Sequence, residues 1–438
     1  MLPGQVRTIL ERLEQNGFAA YAVGGCVRDT LLCRVPSDWD VTTAARPEQV
    51  QALFPGESIP TGLRHGTVTV RQDGLSVEVT TFRADGPYSD HRRPDSVRFS
   101  ASLAEDLCRR DLTVNAMAMD ARGAIVDLHG GRDDLRRRRL RCVGQPDRRF
   151  SEDALRILRT LRFASVLDFR IEDSTAAALH RCAPLLADIA PERLLAETDR
   201  LLCGTGVLPV LLTYPDVLGT FLPELLPCVG FDQRNRHHIY DVWAHTAHSV
   251  AAIPPEPVLR WAMLLHDVGK PACFTVDSQG VGHFYGHPKV SAALAEDICR
   301  RLRMDKRTAA EVVTLVQWHD RDIPRTEKAI ARAVHQLGVD TFRRLLAVKR
   351  ADNLAQHPAY RGRLEEIRRA EDILNGLLAA QACFSLRDLA VNGRDMLALG
   401  LHGPAVGQML NRLLEQVLDG TLPNDRDALC RAAAQRMK

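Results

Sequence analysis

Two carboxylates one residue apart, Asp38 and Asp40, are the first groups in this sequence that could do chemistry. Side chains on an extended strand alternate with period two, so the pair projects to one side and can hold one or two Mg2+ ions. Upstream, Gly24 and Gly25 follow a short apolar strand at Tyr21 to Val23 and precede a helix carrying Arg28 and Asp29. Glycines let backbone amides approach a phosphate, a helix start favours negative charge, and Arg28 can add a charge-assisted contact. A triphosphate with its metal is the implied ligand.

A second group lies in RFSEDALRILRTLRFAS, residues 149–165. It reads as one helix with Ser151 as N-cap and acids in the first turn. Ile157, Leu161 and Ala164 form its buried side, and Asp153, Arg156, Arg159 and Arg162 lie on the other. A three-residue step makes Asp153 and Arg156 neighbours, either as a salt bridge or as a joint address to one planar partner. Cytosine and adenine each present an exocyclic amine beside an unprotonated ring nitrogen. A carboxylate can accept from the amine while a guanidinium donates to the nitrogen; uracil and guanine offer the reverse polarity.

A third group is rich in histidine: VWAHTAHSV offers His245, WAMLLHDVGK offers His266 and Asp267, FYGHPKV offers His287, LVQWHDR offers His319, and VKRADNLA offers Asp352. Imidazole with carboxylate suits Mn2+, Fe2+, Ni2+ or Co2+, and such a centre can activate water against a phosphoester.

The elements that must position these groups are legible. Val6, Ile9, Leu10 and Leu13 have helical spacing, and Pro47 to Phe54 reads as a short helix. HGTVTVRQDG and LSVEVTTFR read as strands joined at Asp73-Gly74, a hairpin turn. Glu78 alternates with Val77 and Val79, which makes it either a solvated strand residue or a third carboxylate for the metals. Tyr88 to Phe99, polar and carrying Arg92, Arg93 and Pro94, is expected to be a mobile loop.

At 438 residues the chain is multidomain, with about three or four units expected. Apolar residues at 45% and charged residues at 26% are ordinary for a soluble protein, no run of about 18 apolar residues suggests a membrane partner, and the N-terminus lacks a signal-peptide core. A cytoplasmic enzyme is expected, its eleven cysteines reduced. Net charge is only +3, so a nucleic-acid surface must be local; Arg136 to Arg139 with Arg141 is either that surface or a solvated face.

The order G-G-x-V-R-D (Gly24 to Asp29) and then D-x-D (Asp38 to Asp40) resembles the signature of the DNA polymerase beta-like nucleotidyltransferases, in the tRNA nucleotidyltransferase and bacterial poly(A) polymerase branch. LCRRDLTVNAMAMD, with Arg109, Arg110 and Asp111, is similar to a further motif of that family. The resemblance implies that Arg110 contacts the nucleotide, that Asp111 lies near its sugar, and that Glu78 joins Asp38 and Asp40 in catalysis. The E-D-x-x-R helix resembles the element with which bacterial-type enzymes choose CTP and ATP, so Asp153 and Arg156, with Arg159 and Arg162 beside them, are implied nucleotide contacts. The implied reaction is addition of CCA to tRNA. The order H…HD…D resembles the HD phosphohydrolases, with His245, His266, Asp267 and Asp352 as core ligands and His287 and His319 as additional ones.

The implied fold class is α+β: a small mixed-sheet polymerase beta-like head (1–145), then an all-α neck (146–232), an HD domain (233–356) and a helical, tRNA-holding tail (357–438). Poly(A) synthesis, CC-only or A-only addition, and a phosphohydrolase whose head is an RNA-binding module are the competing readings.

Overall fold

Val6, Ile9, Leu10 and Leu13 are fully buried along one side of α1 (Gly4–Gln15), as their spacing requires. This is the opening of a computed structural model that describes residues 2–63, 66–86 and 97–436. The chain forms two compact units, residues 1–226 and 227–438. The expected loop with Arg92 and Arg93 falls largely at 87–96, outside the described residues.

The first unit is organised by a mixed sheet. Its strands are β1 (Ala20–Val23), β2 (Asp40–Thr43), β3 (Ser58–Gly62), β4 (Thr67–Gln72), β5 (Leu75–Thr81), then, after the separate pair β6 (Arg83–Asp85) and β7 (Val97–Phe99), β8 (Met117–Met119) and β9 (Ile125–Asp127). Seven of them run in the order β3-β4-β5-β2-β1-β8-β9. Among the described strands of this sheet only β2 and β5 pair in parallel; Asp40 stands opposite Glu78. The β4–β5 hairpin turns at Asp73 and Gly74, whose φ values of 47° and 81° are those of the expected tight turn. Val68, Val70, Val77 and Val79 fill the core below it.

Two sequence expectations need correction. Asp38 is not on the strand: β2 begins at Asp40, while Asp38 is exposed in the approach to it, and Trp39 between them is buried and anchors that turn. The helix around Asp153 is two helices, α6 (Pro146–Glu152) and α7 (Leu155–Leu167), with Asp153 extended at φ −137° and ψ 103° between them. Ser151 lies within α6 and donates to the Asp147 carbonyl at 2.8 Å, so it is no N-cap. Aspartate competes with the helical backbone for hydrogen bonds, and Asp153 Oδ1 takes the Leu155 amide at 3.2 Å, opening α7 itself.

Helices α2 (Gly25–Leu31), α3 (Pro47–Leu53), α4 (Leu103–Cys108) and α5 (Gly131–Arg136) flank the sheet strands in sequence; α8 (Asp173–Cys182), α9 (Pro191–Leu202), α10 (Val207–Thr213) and α11 (Pro215–Gly219) complete the unit. Within the arginine run, Arg139 and Arg141 pair with the buried Asp134 at 2.5 and 2.9 Å, so only Arg136 to Arg138 remain as exposed cations.

The second unit is helical. Helices α12 (Val242–Ala252), α13 (Pro257–Leu265), α14 (His287–Arg301), α15 (Lys306–Trp318), α16 (Glu327–Leu337) and α17 (Val339–Leu354) precede α18 (Arg363–Ala379), α19 (Gly393–Ala398), α20 (Pro404–Leu418) and α21 (Arg426–Gln435). Val391, Met396, Leu413, Leu414 and Leu429 form the C-terminal core. No described helix is long and apolar enough to cross a membrane.

Helix α7 is held against α9 by a close backbone contact. Ser165 donates to the Leu201 carbonyl at 2.6 Å, and a Cβ on Gly204 would lie 2.2 Å from Ser165 Oγ and 2.5 Å from its carbonyl carbon. Gly204→Ala should therefore destabilise the first unit by about 1–3 kcal/mol, read by calorimetry as a fall of roughly 2–12 °C in its Tm. An unchanged melting temperature would show that the two helices can separate at no cost.

Candidate functional site

The glycine turn is shaped by what stands behind it. Gly24 ends β1 with φ 85°, a left-handed conformation that a side chain would strain. A Cβ there would sit 3.1 Å from Arg110 Nη1 and 3.9 Å from Asp40 Oδ2, so turn, arginine and carboxylate converge. Partners on adjacent strands project to the same face, and the register therefore sets Glu78 beside Asp40. Burial, then the charges of Asp38 and Glu78, push the Asp40 carboxyl up to about 6, against the opposing pull of Arg110. Asp40 is half-buried while Asp38 and Glu78 are exposed, and carboxylates suit a hard divalent cation, although the three are not drawn together as closely as the histidine cluster of the second unit.

Arg110 is set by a residue that sequence reasoning missed. Asp106 is fully buried on α4; its Oδ1 accepts from Arg109 at 3.0 and 2.8 Å, and its Oδ2 from Arg110 and Thr42, both at 3.3 Å. Burial lowers the Arg110 pKa while Asp106 opposes the shift. The spacing D-x-x-R-R in LAEDLCRR was a readable signal for this clamp.

Arg28 is placed differently from its expected role as a ready phosphate contact. It is buried, donates to Asn115 Oδ1 at 2.6 Å, and grips both oxygens of Asp29 at 2.9 Å, bracing the start of α2. Asp111 is likewise engaged: Arg159 donates to its Oδ2 at 2.9 and 2.7 Å, while the Leu112 amide and Asn115 hold Oδ1. Burial opposes ionisation of Asp111, yet Arg159, Asn115 and the Leu112 amide together outweigh it and hold the carboxyl well below the usual range.

Asp153 and Arg156 are held by separate partners. Asp153 lies 3.6 Å from Arg193 of α9. Arg156, buried, donates to Glu152 at 2.8 Å and to the carbonyls of Arg149 and Arg109 at 3.1 and 3.0 Å. Arg162 pairs with the buried Glu197 at 2.7 Å; burial lowers its pKa to about 10 despite that partner. Arg193 and Glu197 share one face of α9 at i,i+4 in PERLLAETDRLL, a pattern visible in the sequence whose partners only the fold supplies.

In the second unit the six expected ligands meet. His245 comes from α12, His266 caps α13 with Asp267 following, His287 opens α14, His319 caps α15, and Asp352 lies in the last turn of α17. His245 Nε2 lies 2.9 Å from Asp352 Oδ1 and 3.6 Å from Asp267 Oδ2; His266 Nε2 lies 3.2 Å from Asp267 Oδ2. On the other side, His287 and His319 place Nε2 at 3.3 and 3.7 Å from Asp267 Oδ1. Two triads result, His245-His266-Asp267 and Asp267-His287-His319, each with its ligand atoms within 4.8 Å of one another.

The donor chemistry fits metal. His266, His287 and His319 each engage a carbonyl through Nδ1, those of Met263, Phe284 and Val316 at 2.7, 2.8 and 2.6 Å. That tautomer turns the Nε2 lone pairs inward, and those of His287 and His319 lie 3.2 Å apart, an arrangement a cation between them would stabilise. His266 Nε2 and both Asp267 oxygens are buried without a hydrogen bond. Lys270 Nζ sits 2.7 Å from Asp267 Oδ2 as an ion pair and is itself tied to Gln233. The sequence reading missed Lys270, although it stands three residues after Asp267. A cavity of about 290 Å³ opens onto the cluster, lined in part by His238, Lys270, Tyr285 and Arg363.

The raised Asp40 has a stability consequence. Its folded-state pKa lies above the unfolded value of 3.8, so the ionised carboxylate destabilises the fold progressively as pH rises from that value through about 6, and fully above it. In chelator-treated protein at neutral pH, Asp40→Asn should raise stability by on the order of 2 kcal/mol, and the gain should vanish near pH 4. A variant less stable than the parent at neutral pH would sink this account.

Comparison with known proteins follows the same division. Residues 20–141 match the Poly A polymerase head domain, residues 168–225 the probable RNA and SrmB-binding site of polymerase A, and residues 283–433 the putative tRNA nucleotidyltransferase domain 2. The CCA-adding enzyme of Geobacillus kaustophilus is 35% identical over 428 residues, covering 97% of this chain and 95% of that protein. The CCA-adding enzyme of Limosilactobacillus fermentum is 34% identical over 442 residues, covering 99% and 96%. Among solved structures, the Bacillus stearothermophilus CCA-adding enzyme in complex with CTP is 31% identical with a TM-score of 0.75, covering 100% of this chain and 98% of that one. With that identity sustained along nearly the whole of both chains, and a polymerase head carrying its carboxylates at the β2–β5 pair, this chain belongs to the CCA-adding enzymes, a family of tRNA nucleotidyltransferases.

Proposed function

We propose that this chain adds CCA to the 3′ end of tRNA, taking CTP and ATP in turn at one site in residues 1–226 without a nucleic-acid template. The observation that carries the reading is Asp40 in register with Glu78 on parallel strands, with Gly24 and Arg110 packed against it. Asp38, Asp40 and Glu78 would hold Mg2+, which when bound supplies Lewis acidity at the attacking 3′-hydroxyl and the departing pyrophosphate. Gly24 and Gly25 leave the backbone open to the phosphates. Arg110, fixed by Asp106, adds positive charge beside the carboxylates. Asp153 accepts from the exocyclic amine of the incoming base and Arg156 donates to its ring nitrogen, while Arg28, Asp111, Arg159 and Arg162 complete the nucleotide wall. The segments 1–145, 146–232, 233–356 and 357–438 act as head, neck, metal-binding and tRNA-holding parts.

A second activity is favoured by the two buried clusters of imidazole nitrogens gathered around Asp267. His245, His266, Asp267, His287, His319 and Asp352 would hold a cation of the Mn2+, Fe2+, Ni2+ or Co2+ kind. Metal there supplies an activated water for phosphoester hydrolysis.

Supplying truncated tRNA with each labelled nucleotide singly and in pairs separates full CCA addition from CC-only, A-only and poly(A) synthesis. Asp153→Ala should lower discrimination for C and A over U and G by roughly ten- to a hundredfold, the effect of one missing hydrogen-bond partner in a desolvated pocket. Uniform slowing with all four nucleotides would move the base-reading role elsewhere. His266→Ala combined with Asp267→Ala should abolish Mn2+-dependent hydrolysis of p-nitrophenyl phosphate and leave nucleotide addition intact, because the ligand sets share no residue. Loss of addition in a folded double variant would refute the two-centre reading.

A further inference from the structure

Phe163 lies on α7 beside Arg162 and one turn beyond Arg159. Its ring is buried, at 7% exposure, yet much of its surroundings is cationic. The guanidinium carbon of Arg162 lies 4.0 Å from the ring centroid, that of Arg28 5.0 Å and that of Arg159 5.6 Å. Each guanidinium is also tethered to a carboxylate: Arg28 to Asp29 at 2.9 Å, Arg159 to Asp111 at 2.7 Å and Arg162 to Glu197 at 2.7 Å.

Asp29 and Asn115 together engage all three nitrogens of the Arg28 guanidinium, whereas Asp111 holds Arg159 through Nε and Nη2 only. Three positive groups gathered around a shared point repel one another, and the negative face of an aromatic ring is an attraction common to all three. A ring used only for core packing would be surrounded by apolar side chains. Here it collects an arginine from α2 and two from α7, and all three belong to the group assigned to the nucleotide.

We propose that Phe163 is a positioning residue for nucleotide binding: its ring, braced by the inward-turned Arg28, sets Arg159 and Arg162 as a cationic pair toward the triphosphate of the incoming nucleotide. The inference rests on the nucleotide-addition reading, which wild-type turnover on truncated tRNA tests by itself. Phe163 contacts no substrate in this scheme, so its removal acts on nucleotide affinity and spares the bond-forming step.

Full-length enzyme carrying mono-, di- or trifluorinated phenylalanine at position 163 tests this directly, because fluorine drains the ring quadrupole while nearly preserving its shape. The KM for CTP and for ATP should rise stepwise, reaching about tenfold with the trifluorinated ring, with kcat within about twofold and the melting temperature unchanged. The inhibition constant of inorganic tripolyphosphate should rise in parallel, since that probe reports the array without a base or sugar. Phe163→Leu should match the trifluorinated ring and Phe163→Tyr should restore near-parental KM. A KM flat across the fluorinated series in an enzyme that turns over normally overturns the role of the ring and leaves the nucleotide-addition reading standing. A wild type that adds no nucleotide overturns both.

Discussion

Negative charge crowded at the junction of β2 and β5 is the constraint on which the first unit depends. Asp40 sits half-buried with Glu78 beside it and Asp38 near, and its carboxyl is pushed up to about 6 as a result. Left alone, such a cluster opposes folding. The surrounding fold offsets it with one cation, Arg110, whose guanidinium stands against the Gly24 turn and is held from behind by the buried Asp106. The sheet core of valines supplies the stability against which this local repulsion is set. A site that binds a divalent cation and a polyanion must keep charges of both signs close and incompletely neutralised, and the arrangement around Asp40 does so.

The same economy of charge runs through the helices that follow. Asp106, Asp111 and Glu197 are buried acids that each engage an arginine, and Asp153 meets Arg193. Buried ion pairs contribute little net stability, because desolvation offsets most of the attraction, but breaking one side leaves an uncompensated charge. Their effect here is to fix direction: arginines that would otherwise sweep a wide volume are confined around Phe163 and along the α6–α7 break. The helix break itself follows from Asp153, whose carboxylate caps α7 and so remains at the surface of the packing between elements.

The second unit solves a different problem with carbonyl groups. Three histidines are oriented by Nδ1 contacts to carbonyls within their own chain segments, each three residues upstream. Such contacts are local and require only that the helix end where it does, which is why His266 and His319 stand at helix C-caps and His287 at a helix start. Imidazole Nε2 atoms then stand around both Asp267 oxygens without donating to them, as ligands to a cation would.

Much of this was legible in the sequence because the signals are local. The period of Val6, Ile9, Leu10 and Leu13, the Asp73-Gly74 turn, the glycine pair and the H…HD…D order each depend on neighbours a few residues away, and the structure carries them where they were expected. Tertiary structure decided what local spacing could not. It started the strand only at Asp40 and left Asp38 in the approach, because burying Trp39 fixes the turn. It split one apparent helix at Asp153, because a capping carboxylate competes with helix continuation. It turned Arg28 inward to Asn115, placed Asp106 behind Arg110, and gathered three arginines around Phe163, all through partners distant in sequence. The sequence determined which groups could bind metal and phosphate; long-range packing decided which of them are free to face a ligand and which are held to orient the others.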